Sequence, residues 1–274
     1  MKCLSSVYLF PPACPFEIIV VDNRSSDGSA AATEEQFPSV NLIRSEKNLG
    51  YALGNNRAFE EATGDILLTL NPDTQFIDDS LTKCVEFMKS HSDIAALGAK
   101  QLNPGHTVQR SIRGFPTFLG VFGDITGFGR LYPGSGFDSY RLNNFDYSKE
   151  QIAPQPMGTF LLFRKSMLAK VADVKQPFDS QFPIFFNEVD LLFRMQNEGL
   201  KCMYVPSISL LHWGGESTKQ TKKIVIWESH LSLIRYWRKH LKGPLNRLIL
   251  ALLIPIIWAG AFIRAKGYSR GFRF

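Results

Sequence analysis

Short apolar runs alternate with helix-forming segments along the first hundred residues of the chain. Three runs rich in Ile, Leu and Val predict buried strands: EIIVVD (17–22), VNLIRS (40–45) and DILLTL (65–70). The segments between them, 30–37 and 52–62, have helical composition. The order strand, helix, strand, helix, strand predicts an α/β fold with a doubly wound, mostly parallel sheet.

Polar residues directly follow the first and the third of these runs. The first run ends in Asp22-Asn23 and the third is followed by Asn71-Pro72-Asp73. Doubly wound sheets bind ligands beyond the carboxyl ends of their strands, and Pro72 stops the strand there. The pattern therefore predicts that Asp73 reaches the ligand-binding edge. The alternative is that Asp73 only caps the following turn.

Beyond residue 100 the pattern becomes less regular. After a predicted helix (80–90) and strand (94–100), the segment 103–157 is rich in Gly, Pro, Phe and Asn. It predicts a long irregular insertion that contains a hairpin, and long loops of this kind are often functional lids. A strand and a helix are expected within 158–168, followed by a further helix and a strand at 202–205.

Composition places the chain among globular proteins of a reducing compartment. The 45% hydrophobic and 12% aromatic residues are ample for a core, and the four cysteines lack the CxxC spacing of zinc or disulfide frameworks. Of 31 lysines and arginines, 12 lie from Lys219 onwards, with one of the 25 acids. The remaining 19 bases and 24 acids make residues 1–218 mildly acidic, so the basic character belongs to the tail.

The basic tail surrounds an uncharged apolar run, 248–263, which contains Pro255. The run is shorter than the about 20 residues of a simple spanning helix, and bases on both flanks indicate that both ends lie on the cytoplasmic side. We therefore expect an in-plane or re-entrant membrane anchor held by anionic headgroups. The alternative is a helix pair that caps the domain. Nucleic acid is not favoured as a partner, because the bases do not line an aromatic groove.

Six segments, taken in order, closely resemble the family 2 glycosyltransferases and, within them, the rhamnosyltransferase-like branch that builds cell-surface polysaccharide. They are VVDNRSSDGS (20–29), NLGYALGNNRAF (48–59), LLTLNPDT (67–74), GTFLLFR (158–164), NEVDLLFR (187–194) and HWGGEST (212–218). The resemblance spans about residues 2–240. It implies a GT-A domain over 1–240, with a nucleotide-binding half (1–100) and an acceptor half (101–240). Residues 241–274 are then the membrane-associated tail.

The resemblance also implies an activity. This is the inverting transfer of rhamnose or another hexose from a dTDP- or UDP-sugar to a saccharide or lipid-linked acceptor, with Mg²⁺ or Mn²⁺, at the cytoplasmic face of the cell membrane. One alternative is a catalytically impaired, membrane-attached homologue that binds a glycan or a partner. Another is a nucleotidyltransferase that makes sugar nucleotides, although the chain lacks the Gly-rich, basic triphosphate loop that such an enzyme needs.

The resemblance places the donor site in the first half of the chain. Asp22 matches the acid thought to accept the imide N–H of uracil or thymine, and Asn23 and Asp27 would shape the wall around the ribose and phosphates. A turn and helix-capping role for Asp27 stays open. Asn48 and Gly50 lie just before a helix N-terminus, where backbone N–H groups can meet a sugar phosphate.

The resemblance places a divalent metal beside the donor. Asp73 matches the last aspartate of the family's DxD-like motif, whose first acidic position is Asn71 here. A single protein carboxylate suits Mg²⁺, which takes much of its coordination from water and phosphate. His212 matches a histidine near the metal and the diphosphate, with a purely structural role as the alternative. Asn55 is a further donor-side candidate, for which packing or capping is equally open.

The acceptor side is expected around NEVDLLFR. Glu188 takes the acidic position at which the family places its catalytic base, and Asp190 takes the later acidic position, also assigned to catalysis. Asn187 replaces an acid of the family pattern. Two carboxylates at i and i+2 on a helix point in different directions, and the i, i+4 spacing predicts that Asp190 pairs with Arg194.

Three further residues complete the acceptor side implied by the resemblance: Gly158, Thr159 and Trp213. The main departure from the family lies at the N-terminus, where Cys3-Leu4-Ser5-Ser6-Val7 matches the end of the family's first helix. The apolar strand that precedes this helix in the family is absent. We therefore expect exposed backbone groups on the strands that would neighbour it.

Overall fold

The computed structural model describes residues 1–214 and 222–267. Within them the strands are β1 (Ile19–Asp22), β2 (Asn41–Arg44), β3 (Ile66–Leu70), β4 (Thr74–Phe76), β5 (Ile94–Leu102), β6 (Ile112–Arg113), β7 (Gln151–Ile152), β8 (Gln155–Pro156), β9 (Phe160–Arg164) and β10 (Lys201–His212). The helices are α1 (Lys2–Leu9), α2 (Ser29–Gln36), α3 (Gly50–Glu61), α4 (Ser80–Ser90), α5 (Phe118–Thr126), α6 (Phe128–Leu131), α7 (Lys165–Leu168), α8 (Asn187–Asn197), α9 (Lys222–His240) and α10 (Pro244–Ala265), with a 3₁₀ turn at Gly136–Asp138. The predicted elements of the first hundred residues are all present.

The central sheet is mixed rather than mostly parallel. Its strand order is β3-β9-β5-β10-β4, with β7 added on β10. Only β5 and β10 run parallel within it, because β9 enters antiparallel between β3 and β5, and β4 and β7 pair antiparallel with β10. The α/β class is confirmed. The repeating strand–helix pattern does not determine the direction of each strand.

The first two strands form a small sheet of their own. β1 and β2 pair in parallel, with Val20 opposite Leu42, and neither joins β3 among the described residues. The predicted continuous sheet is therefore wrong at this point. Ile18, just before β1, still packs against the core cluster that also receives Ile66 and Leu68 of β3.

Two core clusters cover the two faces of the central sheet. In β9, Phe160 and Leu162 point into the cluster shared with α4, whereas Leu161 and Phe163 point into the one shared with α3 and α8. This alternation follows from the two-residue period of a strand buried on both faces. The buried sheet holds the strand ends that carry the candidate site residues.

A third cluster joins the predicted insertion to the C-terminal helices. The ring of Trp237 in α9 lies 4.7 Å from that of Phe118 in α5, and its indole N–H donates to the carbonyl of Pro116 at 2.6 Å. The segment 103–157 is thus more ordered than predicted, because α5, α6 and the β6–β8 pair occupy much of it.

Helix α10 is longer than the apolar run within it. It has 22 residues, continues through Pro255, and is long and apolar enough to cross a membrane by length and composition alone. The alternative of a helix pair is also present, since α10 packs along α9. Its outer face remains apolar and exposed at Leu245, Leu248, Leu252 and Ile256.

Candidate active site

Glu188 lies in the first turn of α8, which starts directly after Phe186 in the left-handed conformation (φ 64°). A Cβ atom on Gly158 would come within 3.5 Å of the Glu188 carboxyl carbon. Burial raises the pKa of Glu188 to about 7, opposed only by its own backbone N–H and those of Gly158 and Val189. A carboxylate of this pKa can take and release a proton near neutral pH.

Tyr51, in the first turn of α3, connects this helix to the segment beside Glu188. Its hydroxyl donates to the Gly158 carbonyl at 2.6 Å, and burial, reinforced by the charge of Glu188, raises the pKa of Tyr51. Gly50 beside it has φ 73°, and a Cβ there would lie 2.7 Å from the carbonyl oxygen of Pro183. Only glycine fits this approach. Sequence reasoning quoted Tyr51 within a motif but gave it no role.

Asp73 and His212 lie side by side because β4 and β10 pair with His212 opposite Thr74. His212 Nε2 is 3.6 Å from Asp73 Oδ2, and the backbone N–H of Trp213 donates to the Asp73 carbonyl at 2.9 Å. Asp73 Oδ1 is buried and has no hydrogen-bond partner among the described residues. The Asp73 carboxylate and His212 Nε2, which are both potential metal ligands, thus face one another.

Gln109 fixes the orientation of that histidine. Its amide nitrogen donates to the carbonyl of His212 at 2.8 Å and to Asn103 Oδ1 at 2.9 Å. Its Oε1, 2.9 Å from His212 Nδ1, must then accept, so Nδ1 carries a hydrogen and Nε2 is the ring nitrogen that faces Asp73. The sequence pattern did not identify Gln109, because this residue lies in the segment without clear periodicity.

Asp73 Oδ1 and His212 Nε2 fit a divalent cation, since one is a buried oxygen without a partner and the other a correctly held imidazole nitrogen. In residues 1–214 and 222–267 no group of three or more His, Cys, Asp or Glu side chains could hold a metal. The remaining ligands would therefore come from water and the substrate, as is usual for Mg²⁺.

The turn that carries Asp73 is bonded to the segment beside Glu188. The backbone N–H of Asn71 donates to the carbonyl of Thr159 at 2.9 Å, and Thr159 follows Gly158 directly. Thr159 is itself buried. This hydrogen bond joins segments that are about 90 positions apart in the chain.

The loops after β1 and before α3 are bonded to one another through Asn23. Its amide nitrogen donates to the Gly50 carbonyl at 2.9 Å, and its Oδ1 accepts from the N–H of Leu49 at 3.1 Å. Asn48 Oδ1 accepts from the N–H of Gly50, and Asp22 Oδ1 accepts from the N–H of Ser25 at 3.2 Å. Asn23 therefore supports the predicted donor loop from within.

Asp27 and Asn55 make local contacts. Asp27 Oδ1 accepts from Ser29 at the start of α2, and these hydrogen bonds hold the pKa of Asp27 below its ordinary value. The Asn55 amide donates to the Tyr51 carbonyl one turn earlier in α3. Both contacts match the capping and packing alternatives, and the donor roles of these two residues stay predictions.

Asp190 is completely buried and contacts two cations and a histidine. Its oxygens lie 2.9 Å from Arg194 Nε, 2.6 Å from Lys239 Nζ and 2.7 Å from His240 Nε2. Burial alone would raise the pKa of Asp190, but His240, Arg194 and Lys239 outweigh it and hold the pKa below its ordinary value. The predicted pair with Arg194 is confirmed, and the cluster ties α8 to α9.

Trp213 is 42% exposed, and the Lys2 ammonium lies 4.4 Å from its ring centre. Trp213 is therefore partly exposed next to Asp73, with one face of its ring covered by Lys2. Residues 215–218 of the predicted turn lie outside the described residues.

Solved structures with the same fold are sugar-nucleotide enzymes. They include a mannosyltransferase from Pyrobaculum calidifontis in complex with GDP-Man and Mn²⁺ (TM-score 0.57, 16% identity, 95% of this chain and 64% of that one). A second is GalNAc-T7 with UDP, GalNAc and Mn²⁺ (TM-score 0.53, 14% identity, 90% of this chain and 49% of that one). The fold is that of the GT-A glycosyltransferases.

The family model for glycosyl transferase family 2 matches residues 2–171, and the chain belongs to this family. It is a glycosyltransferase. It is 27% identical over 218 residues to the N-acetylglucosaminyl-diphospho-decaprenol L-rhamnosyltransferase of Mycobacterium tuberculosis (strain ATCC 25618 / H37Rv), covering 74% of this chain and 68% of that protein. This membership selects glycosyl transfer over the nucleotidyl transfer considered from the sequence.

Proposed function

We propose that the enzyme transfers rhamnose or another hexose from a dTDP- or UDP-sugar, with inversion, to a saccharide carried on a lipid diphosphate in cell-surface polysaccharide synthesis. The name of the mycobacterial relative, an L-rhamnosyltransferase that acts on a diphospho-decaprenol-linked sugar, supports this substrate class. The observation that carries the proposal is Glu188, a half-buried carboxylate whose pKa is raised to about 7 and which is connected through Gly158 and Thr159 to the turn that carries Asp73.

In this proposal Glu188 is the catalytic base. An inverting displacement needs a base on the face of the sugar opposite the leaving group, where it removes the proton of the attacking hydroxyl. Ionised Glu188 accepts that proton, and the Gly158 N–H stabilises the charged form beforehand. Tyr51 holds the Gly158 carbonyl, so the position of the base is fixed by the fold.

Asp73 and His212 would hold Mg²⁺ or Mn²⁺, with Gln109 orienting the histidine. When bound, such an ion neutralises the negative charge that develops on a departing diphosphate. Asp22 would bind the nucleobase of the sugar nucleotide.

The remaining donor and acceptor residues follow the sequence expectation. On the donor side we assign Asn23, Asp27, Asn48, Gly50, Asn55 and Asn71. On the acceptor side we assign Gly158, Thr159 and Trp213.

Asp190 receives a positioning role in place of the predicted catalytic contact. Its side chain is fully buried among Arg194, Lys239 and His240, so it meets no solvent-accessible space in which an acceptor could lie. Through these pairs it holds the first turn of α8, and with it Glu188, against α9.

The membrane is proposed as the place of action, on its cytoplasmic face. The exposed apolar side of α10 and the bases around it, among them Lys242, Arg247 and Lys266, fit an anionic lipid surface. The paired change Leu248→Glu and Leu252→Glu should release the protein from vesicles that contain phosphatidylglycerol. Unaltered sedimentation with these vesicles would remove α10 as the anchor.

The test of the activity is a donor screen on the purified full chain with Mg²⁺ or Mn²⁺. dTDP-, UDP- and GDP-sugars are each offered with a short-chain polyprenyl diphosphate N-acetylglucosamine, and free nucleotide and the anomeric configuration of the product are measured. We expect release from one dTDP- or UDP-sugar and an inverted product by NMR. A retained configuration, or turnover with GDP-sugars alone, would contradict the proposal.

A further inference from the structure

The β6–β8 pair carries polar groups that the proposed mechanism does not use. Arg113 lies opposite Gln155 in the register, and the N–H of Met157 donates to the carbonyl of Ser111 at 2.8 Å. Because side chains alternate along paired strands, Ser111, Arg113 and Gln155 share one face of this ladder. The same strand continues into Gly158, which contacts Glu188.

Arg113 is a half-buried cation that forms no salt bridge among the described residues. Its guanidinium carbon lies 5.7 Å from the centre of the Tyr140 ring, and burial lowers the pKa of Arg113. A buried charge without a partner is costly, and planar guanidinium groups bind phosphate oxygens in pairs. The position therefore suits an anion supplied by a ligand.

Two buried neighbours also lack partners. Ser111 is 1% exposed and Gln155 is 6% exposed. The hydroxyl oxygen of Ser111 and the amide oxygen of Gln155 have no hydrogen-bond partner among the residues that the structure describes. The Ser111 hydroxyl and the Gln155 amide N–H can each donate to a phosphate oxygen. Such groups are rarely left unsatisfied in a buried ladder unless something else binds there.

The surroundings connect this face to Glu188 and to an apolar surface. Tyr140 is near enough to both Arg113 and Glu188 for each charge to act on its pKa. Helix α5 packs directly beside it, since a Cβ on Gly120 would come within 3.0 Å of the backbone nitrogen of Tyr140.

The outward face of α5 is strongly apolar. It exposes Leu119, Phe122 and Ile125, and the one acid of this helix, Asp124, is paired with Arg141. A ligand that joins an anionic group to a hydrocarbon chain matches both the polar ladder and this face.

We propose that Arg113 and Ser111 form a subsite for the phosphate or diphosphate of an amphiphilic acceptor, whose hydrocarbon lies along α5. The acceptor role rests on the proposed function, whereas binding itself does not depend on turnover. The subsite would hold the acceptor by its anionic group while its sugar hydroxyl reaches Glu188.

The test is equilibrium binding of farnesyl diphosphate to the full chain in EDTA, where no metal recruits diphosphate to Asp73 and His212. Arg113→Gln should weaken this binding about tenfold or more, and Arg113→Lys less. Ser111→Ala should weaken it severalfold without removing a charge. Arg130→Gln, which removes an exposed base of the adjacent α6, is the matched control and should leave it unchanged.

Three control ligands, farnesol, inorganic pyrophosphate and UDP, distinguish an amphiphilic diphosphate from a hydrocarbon, a free anion and the nucleotide donor. Farnesol and inorganic pyrophosphate should each bind more weakly than farnesyl diphosphate, and the affinity of Arg113→Gln for UDP with Mn²⁺ should equal that of the parent chain. An unchanged UDP affinity also shows that Arg113→Gln is folded.

Unchanged farnesyl diphosphate binding in Arg113→Gln and in Ser111→Ala would overturn the subsite. Equal loss of UDP affinity would assign Arg113 to the donor, and equal pyrophosphate binding would exclude an amphiphilic ligand.

Because these assays involve no transfer, their failure is distinct from failure of the donor screen. A chain that binds farnesyl diphosphate through Arg113 but releases no nucleotide would retain the subsite and lose the proposed activity.

Discussion

The proposed donor side and the proposed acceptor side of the candidate active site are built differently. On the donor side Asp22 ends β1 of a small two-stranded sheet and Asp27 lies in the loop after it, and their contacts are with nearby backbone N–H groups. On the acceptor side Glu188 and Thr159 are packed against the central sheet and its helices. A hydrated, charged nucleotide can be met by open loops, whereas a proton acceptor needs a buried environment that shifts its pKa.

The acceptor side contains a second contrast within one helix. Glu188 and Asp190 are two residues apart in α8, yet burial raises the pKa of Glu188, while the cations around Asp190 keep its pKa low. Desolvation raises both pKa values, and for Asp190 the hydrogen bond with His240, together with Arg194 and Lys239, reverses the direction. The helix therefore carries two carboxylates in opposite electrostatic surroundings.

The sharpest test of this contrast is Glu188→Gln. Without a base the transfer rate should fall by a factor of about 10² to 10⁴, while donor affinity stays unchanged. Nucleotide release and equilibrium binding of UDP with Mn²⁺ measure the two properties. Glu198→Gln, just beyond the end of α8, is the control and should retain full activity. Turnover within a few fold of the parent chain would remove Glu188 from the mechanism.

Asp190→Asn addresses the structural carboxylate. It leaves Arg194, Lys239 and His240 without their buried anion, and breaking a buried pair of this kind costs about 3–5 kcal/mol. Denaturant unfolding of the full chain gives the change in free energy. The exposed pair of Lys201 and Asp93 supplies the control, since Asp93→Asn should cost under about 1 kcal/mol. Similar losses in the two variants would show that burial does not distinguish the pairs.

The raised pKa of Glu188 predicts a pH-dependent cost to the fold. The folded protein holds this proton up to about pH 7 and the unfolded chain only up to about 4.5, so stability falls as the pH rises between these values. Glu188→Gln should therefore raise the free energy of unfolding at pH 8 by up to about 3 kcal/mol, with no gain below pH 4.5. Unfolding curves at pH 4 and pH 8 give the comparison, and a gain of equal size at both values would contradict it.

The smallest expected effect concerns Gln109. Gln109→Ala leaves His212 Nδ1 without its acceptor, and the loss of such an orienting partner weakens metal binding about 10- to 100-fold. Mn²⁺ titration followed by electron paramagnetic resonance in the presence of UDP measures the affinity. Gln109→Glu, which keeps an acceptor oxygen, should restore much of it, and Gln176→Ala on the surface should change nothing. Equal affinity in Gln109→Ala would show that the histidine is held by other means.

Most of the fold was readable from the sequence where the hydrophobic pattern was strong. The helix at 80–90 and the strands β1 to β3 and β5 were predicted within a few residues, because their apolar periodicity reports burial directly. Strand direction and the separation of β1 from β3 were not readable, since both depend on which distant segment lies alongside. The ordered structure within 103–157 was not predicted, because it depends on glycines and aromatic contacts rather than on a hydrophobic period.

The sequence by itself determined which residues occupy the motif positions, namely Asp73, Glu188 and His212, because a motif preserves residue type and spacing along the chain. Only the tertiary structure decided the surroundings of each of them. Burial beside Gly158 gives Glu188 its raised pKa, and Gln109 orients His212 from a segment with no readable pattern. Asp190 becomes a structural group through contacts with Arg194 of its own helix and with Lys239 and His240 of α9. The reason is physical: solvation and electrostatic interaction depend on distances in space, and residues far apart in the chain set those distances.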